Sequence, residues 1–549
     1  MRYLLLLLSA AVISACNSPA PQENPEEKAS HSPELDFQPN IVWIVAEDLS
    51  PFLPDWGDPT IETPNISRLV AEGVKYTHVF SPSGVCAPSR AAISTGMYPA
   101  SIGAHHMRTG GNPKYFPKGL TPYEALPDPE IQMHSERLRR AGYYCSNNSK
   151  EDLQYKKPPT AWDESSNKAH WKNRKAGQPF FAIFNLGVTH ESRIWAKAED
   201  SLWVDENLKV NVPPYLPDNE VGQTDVRRMY SNIKEMDAQV GDLLAELEAA
   251  NLMDSTIIFW YSDHGGPLPR MKRLVYDSGI RLPMVIRFPN KFRAGETDDQ
   301  FVSFIDFKPT IMSLAGIEPG EYLDGKAFLG KYARTEEAKY VHAGGDRFDA
   351  KYDMVRAVRD KQYKYIHNFQ PEKPMYLPVA YRENMPVMKE LLRMRDAGEL
   401  NEVQALWFKE TKAPFEFYDL EKDPHEINNL ADDPAYADKI KELSEEMDRW
   451  MEEIGDRGLI EEKEYLESIW PGQIQPETAD PIIAEENGKI SISSATAGAS
   501  IGYQMLDEGE EAGERWEVYM DPIEVTEGKR LVAVAHRIGY KRSEIVEKD

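Results

Sequence analysis

The chain has 549 residues, more than one hydrophobic core usually serves, so we expect at least two packed units. With 41% hydrophobic and 28% charged residues, it has the composition of a globular protein. The formal net charge of −27 argues against nucleic acid as a partner, because phosphate contacts need clustered lysine and arginine. An acidic enzyme can still hold a small cationic pocket, so this charge leaves the substrate open.

The first residues have the pattern of an export signal. Arg2 precedes the apolar run 4–12, which is too short to span a bilayer as a mature helix. The run ends in Ile13-Ser14-Ala15-Cys16, which resembles a bacterial lipobox. We predict a lipoprotein signal peptide over 1–15, lipidation of Cys16 and a flexible tether over 16–39. The alternative is a plain secretory signal with an incidental cysteine.

This pattern predicts an exported protein that is anchored to a membrane by lipid. We expect the outer membrane, with the protein on the periplasmic or the cell-surface side. No later run in the sequence is long and apolar enough to form a membrane helix.

Apolar runs alternate with helical patterns along the first part of the chain. The runs typical of strands buried on both faces are 41–46, 179–186, 256–261 and 283–288. Between them, apolar residues recur at helical spacing from Val226 to Leu247. This alternation predicts an α/β unit over 40–330, with a mostly parallel sheet flanked by helices.

The pattern changes after residue 330. Strand-like segments and a helical pattern over 435–454 predict a smaller α+β unit over 331–460. The acidic stretch 461–480 is a linker candidate. Short strand-like runs from residue 490 predict a β-sandwich over 481–549, which resembles the terminal sandwich of chitobiase-like enzymes.

Polar side chains follow three of the predicted strands. They are Glu47-Asp48 after the first strand, His190 after the second, and Asp263-His264 after the third. Ligands of open α/β sheets bind outside the carboxyl ends of the strands. We therefore expect these residues to share one crevice, although they are far apart in sequence.

The most informative segment is Cys86-Ala87-Pro88-Ser89-Arg90, which continues to Thr95-Gly96. Pro88 suits the start of a helix that Gly96 ends, so residue 86 is expected at a helix N-terminus, where anions are favoured. The segment is similar to the signature of the sulfatase family, and the resemblance extends from Asn40 to about Leu430. The alternative is a buried cysteine before a capped helix. Five fixed positions followed by Thr-Gly argue against it.

Similarity to the type I sulfatases implies an alkaline-phosphatase-like fold and oxidation of Cys86 to formylglycine by a maturase. The hydrated aldehyde carries two hydroxyls. One attacks sulfur and displaces the alcohol, and the other then loses its proton so that sulfate leaves and the aldehyde is restored. An unmodified thiol cannot take the second step. The implied partners are a sulfated glycan substrate, the maturase and, through the lipid anchor, a membrane.

The resemblance also implies a bound calcium ion. Its expected ligands are Glu47, Asp48, residue 86 as formylglycine, Asp263 and His264. Calcium is favoured over magnesium because a shell rich in protein ligands keeps little bound water. Glu47 departs from many relatives, which have aspartate at this position, but its longer carboxylate still offers oxygen.

The remaining catalytic candidates are implied by their motif context. Arg90 is expected to hold the formylglycine hydrate and the metal carboxylates. His190 is suited to protonate the leaving oxygen, while Lys150 and Lys272 stabilise charge. Where relatives commonly have Lys-x-His, this chain has Lys150-Glu151-Asp152. Asp152 either acts as the base for the second hydroxyl or only orients Lys150.

Three donors follow the predicted signature helix, namely His105, His106 and Arg108. They are candidates to contact sugar hydroxyls or a uronate carboxylate near the site. The alternative is that they are polar loop residues satisfied within the protein.

Together these features predict a sulfatase acting on a sulfated polysaccharide or its oligosaccharides. Algal ulvan, carrageenan, fucoidan and host glycosaminoglycans are candidates, with algal material preferred. One alternative is a phosphoester or phosphonate hydrolase of the same superfamily, against which the Asp-His-Gly and Lys272 segments argue. The other is a catalytically inactive glycan-binding lipoprotein, against which the intact segment 86–90 argues.

Overall fold

The computed structural model describes residues 32–33, 35–110, 116–524, 526 and 528–548. The predicted signal peptide 1–15, the lipidation site Cys16 and most of the predicted tether 16–39 lie outside the described residues.

A large sheet forms the centre of the N-terminal part. Its strands are β1 (Asn40–Ala46), β2 (Val74–Phe80), β3 (Tyr144–Asn148), β4 (Glu164–Ser165), β5 (Phe180–Leu186), β6 (Thr256–Ser262), β7 (Arg281–Arg287), β8 (Thr297–Asp298) and β9 (Val302–Ser303). They are ordered β4-β3-β5-β1-β6-β7-β2-β8, and β9 also pairs with β2. Strand β1 is parallel to both β5 and β6, whereas β7 is antiparallel to β6 and β2. The expected mixed, mostly parallel sheet is confirmed.

Helices cover both faces of this sheet. They are α1 (Pro64–Glu72), α2 (Cys86–Thr95), α3 (His134–Arg140), α4 (Ser192–Ala196), α5 (Glu220–Ala249), α6 (Asp277–Ile280) and α7 (Phe307–Leu314). Side chains of β1 point alternately to the two faces. Trp43 packs in a core with Phe307 of α7, whereas Ile44 packs in a second core with Met236 of α5. The uninterrupted apolar run of β1 therefore reflects burial on both sides.

The segment after residue 330 forms a smaller α+β unit. Its antiparallel sheet comprises β10 (Val341–Gly345), β11 (Val355–Arg359), β12 (Tyr363–Asn368) and β13 (Phe415–Asp419). Its helices are α8 (Pro386–Ala397), α9 (Glu402–Leu406) and α10 (Ala437–Glu453). Leu443, Met447 and Trp450 of α10 pack against Val358 and Phe417 of the sheet, because these apolar residues recur at helical spacing.

The segment predicted as a linker contains helix α11 (Glu462–Ile469). Tyr465 and Leu466 of this helix pack with Tyr123 and Trp470 in a small buried cluster. Although the stretch is acidic, the apolar residues of this helix share one face and are buried. Segment 461–480 is therefore packed against the N-terminal part as well as connecting two units.

The C-terminal residues form two small antiparallel sheets. One contains β14 (Ile482–Glu486), β15 (Lys489–Ser493) and β18 (Ile523–Glu524), and the other contains β16 (Ser500–Leu506), β17 (Glu517–Val518), β19 (Arg530–His536) and β20 (Val546–Lys548). Ile490 and Ile492 of the first sheet pack with Leu531 and Ala533 of the second. The sheets thus face each other, as in the expected sandwich. No helix among the described residues has both the length and the apolar character needed to cross a bilayer.

Candidate active site

Helix α2 begins at Cys86 and ends before Gly96, as the sequence predicts. Val85 precedes it in extended conformation, and Gly96 (φ 74°) terminates it in the left-handed region that favours glycine. The Cys86 side chain is buried, and burial is the main reason that the pKa of its thiol rises to about 12. The unmodified thiol is therefore protonated near neutral pH and a poor nucleophile.

Two pairs of predicted metal ligands meet where neighbouring strands end. Glu47-Asp48 follow β1 and Asp263-His264 follow β6, and these strands are parallel neighbours in register from Asn40 and Thr256. The backbone N–H of Asp48 donates to Oδ1 of Asp263 at 3.1 Å. The ligand atoms of Asp48, Asp263 and His264 all lie within 4.8 Å of one another, and the three side chains are fully buried.

The orientation of His264 fits a metal ion in this cluster. Its Nδ1 lies 3.0 Å from the carbonyl oxygen of Gly265, which can only accept, so a neutral ring carries its proton on Nδ1. The lone pair of Nε2 then faces Oδ1 of Asp48 at 3.0 Å. A proton or a metal ion held by both of these atoms removes the repulsion between their lone pairs. A histidine nitrogen and several carboxylate oxygens that converge in this way are a common set of metal ligands.

Three cations neutralise the acidic cluster. Lys272 Nζ lies 2.9 and 2.8 Å from the two carboxylate oxygens of Asp48. Arg90 donates a hydrogen bond from Nε to Oδ2 of Asp263 (3.1 Å), and its Nη2 lies 3.0 Å from the same oxygen. Lys150 Nζ lies 3.1 Å from Oε1 of Glu47. Burial opposes ionisation of Asp263, but His264, Arg90 and Lys150 together lower its pKa to about 2.

A cavity of ≈150 Å³ opens beside this cluster. It is lined by the predicted residues Cys86, Lys150, Asp152, His190 and Lys272, so the structure brings the catalytic candidates together. Nε2 of His190 lies 3.4 Å from Lys272 Nζ, and Nδ1 contacts Ser192 Oγ at 2.8 Å. Burial is the main cause that lowers the pKa of His190. The cavity therefore disfavours the charged form of this imidazole.

Backbone strain is concentrated around the cavity. Five of its lining residues other than glycine have positive φ angles, namely Arg108, Asp152, Gln154, Arg273 and Asp349. Such conformations are costly and occur preferentially at functional sites. Asp152 Oδ2 lies 3.8 Å from Lys150 Nζ, a position consistent with either of the two roles predicted for it.

The structure corrects the prediction for two of the three substrate candidates. His105 and His106 are buried, and neither is among the residues that line the cavity, whereas Arg108 is. His106 Nε2 lies 3.9 Å from Oε2 of Glu462 on helix α11, and its carbonyl oxygen accepts from the Gln154 amide. Helix α11 covers both histidines, and burial lowers the pKa of each.

Glu191 and Arg273 also belong to the site, although the sequence did not predict them. Glu191 accepts hydrogen bonds from Arg273 at 2.9 and 2.6 Å, and its carboxylate lies 3.2 Å from Lys272. Its backbone N–H donates to Asp48 Oδ2 at 2.6 Å. Glu191 thus connects the acidic cluster to the cationic side of the cavity. The available signal was adjacency, since Glu191 follows His190 and Arg273 follows Lys272.

The fold and the site are those of an ester hydrolase. A cationic cavity that suits an anion lies beside a cluster of acidic residues and a histidine that could hold a metal ion. A family model described as Sulfatase matches residues 39–317, and a model described as N-sulphoglucosamine sulphohydrolase, C-terminal, matches residues 270–380. The chain belongs to the sulfatase family and hydrolyses sulfate esters.

Two curated relatives illustrate the range of similarity. The chain is 47% identical over 556 residues to an ulvan-active sulfatase from Formosa agariphila. The aligned region covers 95% of this chain and 93% of the relative. It is 27% identical over 287 residues to the N-sulphoglucosamine sulphohydrolase of Homo sapiens, covering 49% of this chain and 56% of that protein.

Solved structures with 16–18% sequence identity share the fold. One is a protein in complex with its substrate D-glucosamine-2-N,6-O-disulfate (16% identity, TM-score 0.55, covering 77% of this chain and 100% of that chain). Another is a phosphonate monoester hydrolase from Silicibacter pomeroyi (18% identity, TM-score 0.52, covering 77% and 97%). The alkaline-phosphatase-like fold class predicted from the sequence is confirmed.

Proposed function

We propose that this enzyme removes sulfate from ulvan or its oligosaccharides, using formylglycine at residue 86 and calcium. The observation that carries the proposal is the 47% identity to an ulvan-active sulfatase over 95% of the chain. Two features of the site support it. Cys86 lines a cavity whose cations suit a sulfate group, and its buried thiol is a weak nucleophile until it is modified.

The charged residues around the cavity have different roles in the reaction. Lys150 and Lys272 stabilise the negative charge on the sulfate oxygens. His190 gives a proton to the sugar oxygen as its bond to sulfur breaks, and Lys272 stabilises the charge that develops there. Oxidised to formylglycine, residue 86 supplies the hydrated aldehyde whose hydroxyl attacks sulfur. Arg90 keeps this end of the cavity fixed, because it also holds Asp263 and Asn185.

The residues proposed to hold calcium are Glu47, Asp48, Asp263 and His264, together with residue 86. A hard cation with several oxygen ligands suits the three carboxylates of this set. When bound, calcium neutralises charge on the substrate sulfate and raises the electrophilicity of sulfur.

We further propose that the mature enzyme is a lipoprotein, anchored through Cys16 to the outer membrane. A polymeric substrate supports export, because a large anionic polysaccharide cannot cross a membrane unaided. The lipobox-like sequence before Cys16 supplies the anchoring site.

A substrate panel tests the proposal. Enzyme produced with a formylglycine-generating maturase is incubated with oligosaccharides of ulvan, carrageenan, fucoidan and glycosaminoglycans, and released sulfate is measured. We expect sulfate release to be fastest from ulvan fragments. Faster release from another polysaccharide would reassign the substrate.

Two further measurements address the alternative functions. An aryl sulfate should be hydrolysed much faster than the matching aryl phosphate, and the reverse order would identify a phosphoester hydrolase. Tight glycan binding without turnover of any sulfate ester would identify an inactive binding protein.

A further inference from the structure

One side of the cavity is formed by residues to which the reaction assigns no role. Tyr381, Arg108 and Asp349 line it next to His190, and we call these three residues the outer subsite. The Tyr381 ring lies edge-on to the rings of His190 and Trp195, with centroids 6.3 and 5.3 Å away. The guanidinium carbon of Arg108 lies 5.8 Å from the centroid of the Tyr381 ring.

The position of the leaving sugar follows from the position of the acid. A proton from His190 must reach the oxygen that leaves sulfur, so the sugar bearing that oxygen lies beside the imidazole. The rings of Phe348 and Tyr381 line the cavity, and the partly exposed ring of Tyr381 is the one in contact with the His190 ring. A flat aromatic face next to a bound sugar packs against its C–H groups and orients the ring.

Arg108 adds a cation to this surface. Its side chain is 39% exposed, and Nε lies 2.8 Å from Oδ1 of Asp349. Among the described residues, no hydrogen bond is formed by its two terminal nitrogens. A guanidinium held through Nε can still bind a carboxylate with its terminal nitrogens. Both residues have positive φ angles, 63° for Arg108 and 49° for Asp349, so the backbone holds this pair in a strained conformation.

We propose that the outer subsite binds a uronate, a pyranose ring bearing a carboxylate, at or next to the sulfated sugar. Tyr381 supports the ring and Arg108 pairs with the carboxylate, while Asp349 fixes the arginine. In a chain with a net charge of −27, an accessible cation beside the catalytic cavity is a strong element of anion selection. This inference rests on the proposed glycan function and deepens it by naming the class of sugar.

The test uses aryl sulfate turnover as the reporter, so it does not depend on which polysaccharide is the substrate. Methyl β-D-glucuronide and methyl β-D-glucoside are compared as competitive inhibitors. We expect the glucuronide to inhibit the wild type about fivefold or more strongly than the glucoside, because a charge-assisted hydrogen bond adds affinity. Arg108→Gln should abolish this preference. The control Arg449→Gln removes an exposed arginine of α10 and should retain it.

Tyr381 is tested with the same inhibitors. Tyr381→Ala should weaken inhibition by both glycosides several-fold, and Tyr381→Phe should leave both unchanged. A small primary alkyl sulfate, which has a poor leaving group and no ring, separates sugar binding from an effect on His190. Tyr381→Ala should reduce turnover of this alkyl sulfate clearly less than it weakens inhibition by the two glycosides. An equal loss on the alkyl sulfate would make Tyr381 a positioning residue for His190 and overturn its role as a sugar platform.

The remaining outcomes are also decisive. Equal inhibition of the wild type by the two glycosides, or a preference retained in Arg108→Gln, would overturn the carboxylate-binding role. Failure of the glycan function gives a different result, in which the aryl sulfate is hydrolysed and no polysaccharide fragment releases sulfate.

Discussion

Replacing Asp263 by asparagine removes one charge from the acidic cluster without changing the side-chain volume. The carboxylate is fully buried, accepts a hydrogen bond from Nε of Arg90 at 3.1 Å and lies 3.0 Å from Nη2 of the same guanidinium. In the variant, Arg90 keeps its 2.6 Å hydrogen bond to the amide oxygen of Asn185, and the nearest remaining carboxylate is that of Glu47, 3.8 Å away. Breaking a buried ion pair from one side costs about 3–5 kcal/mol, so we expect the free energy of unfolding to fall by about that amount.

Calcium separates this effect from ordinary destabilisation. A ligand that binds only the folded state raises the free energy of unfolding by about 2.7 kcal/mol at one hundred times its Kd. We expect denaturant titration to show this gain for the wild type and none for Asp263→Asn. The matched control is Asp456→Asn, because Asp456 is an equally buried partner of Arg356 in another part of the protein. It should lose similar stability but keep the calcium gain. Retention of the gain by Asp263→Asn would refute the proposed metal site.

Three other predictions follow from the site and the core. His190→Ala should lower the rate of hydrolysis of a sugar sulfate by about a hundredfold or more, but that of an aryl sulfate with a good leaving group clearly less, because only the poor leaving group needs the proton. Equal losses in the two steady-state rates would assign the acid role to another residue. Lys272→Ala should instead impair both substrates to a similar extent, since its charge is needed for either, and a loss confined to the sugar sulfate would contradict this. Burial lowers the pKa of His134 to about 3 and of His105 to about 4. Below pH 6.5 the unfolded state therefore takes up protons first, and stability should fall by about 1.4 kcal/mol per pH unit for each histidine down to about pH 4. His134→Gln should make this slope shallower in denaturant titrations, and an unchanged slope would contradict the assignment.

The arrangement of the candidate site was predictable because its residues carry local signals. The apolar run 41–46 ends in Glu47-Asp48, and the rule that ligands bind at the carboxyl ends of parallel strands places that pair near Asp263. Pro88 and Gly96 mark the two ends of helix α2, which the structure confirms. In each case a short segment contains both the secondary-structure element and the residues proposed to act there.

The parts that the sequence did not predict depend on contacts between distant segments. His105 and His106 resemble accessible donors until helix α11, more than 350 residues later, covers them. The antiparallel pairing of β7 with β6 leaves no mark in a continuous apolar run. Tyr381 has no motif, and its place beside His190 becomes visible only once the smaller α+β unit packs against the sheet.

The proposed mechanism is tested most directly by measuring the chemical state of residue 86 together with the activity of the same protein sample. Enzyme is produced with varying amounts of the maturase, and the peptide containing residue 86 is analysed by mass spectrometry alongside the rate of sulfate release. We predict that the rate rises in proportion to the fraction of formylglycine and that Cys86→Ser, produced without a maturase able to oxidise serine, loses nearly all turnover. Full activity in protein whose Cys86 thiol is intact would contradict the proposed mechanism.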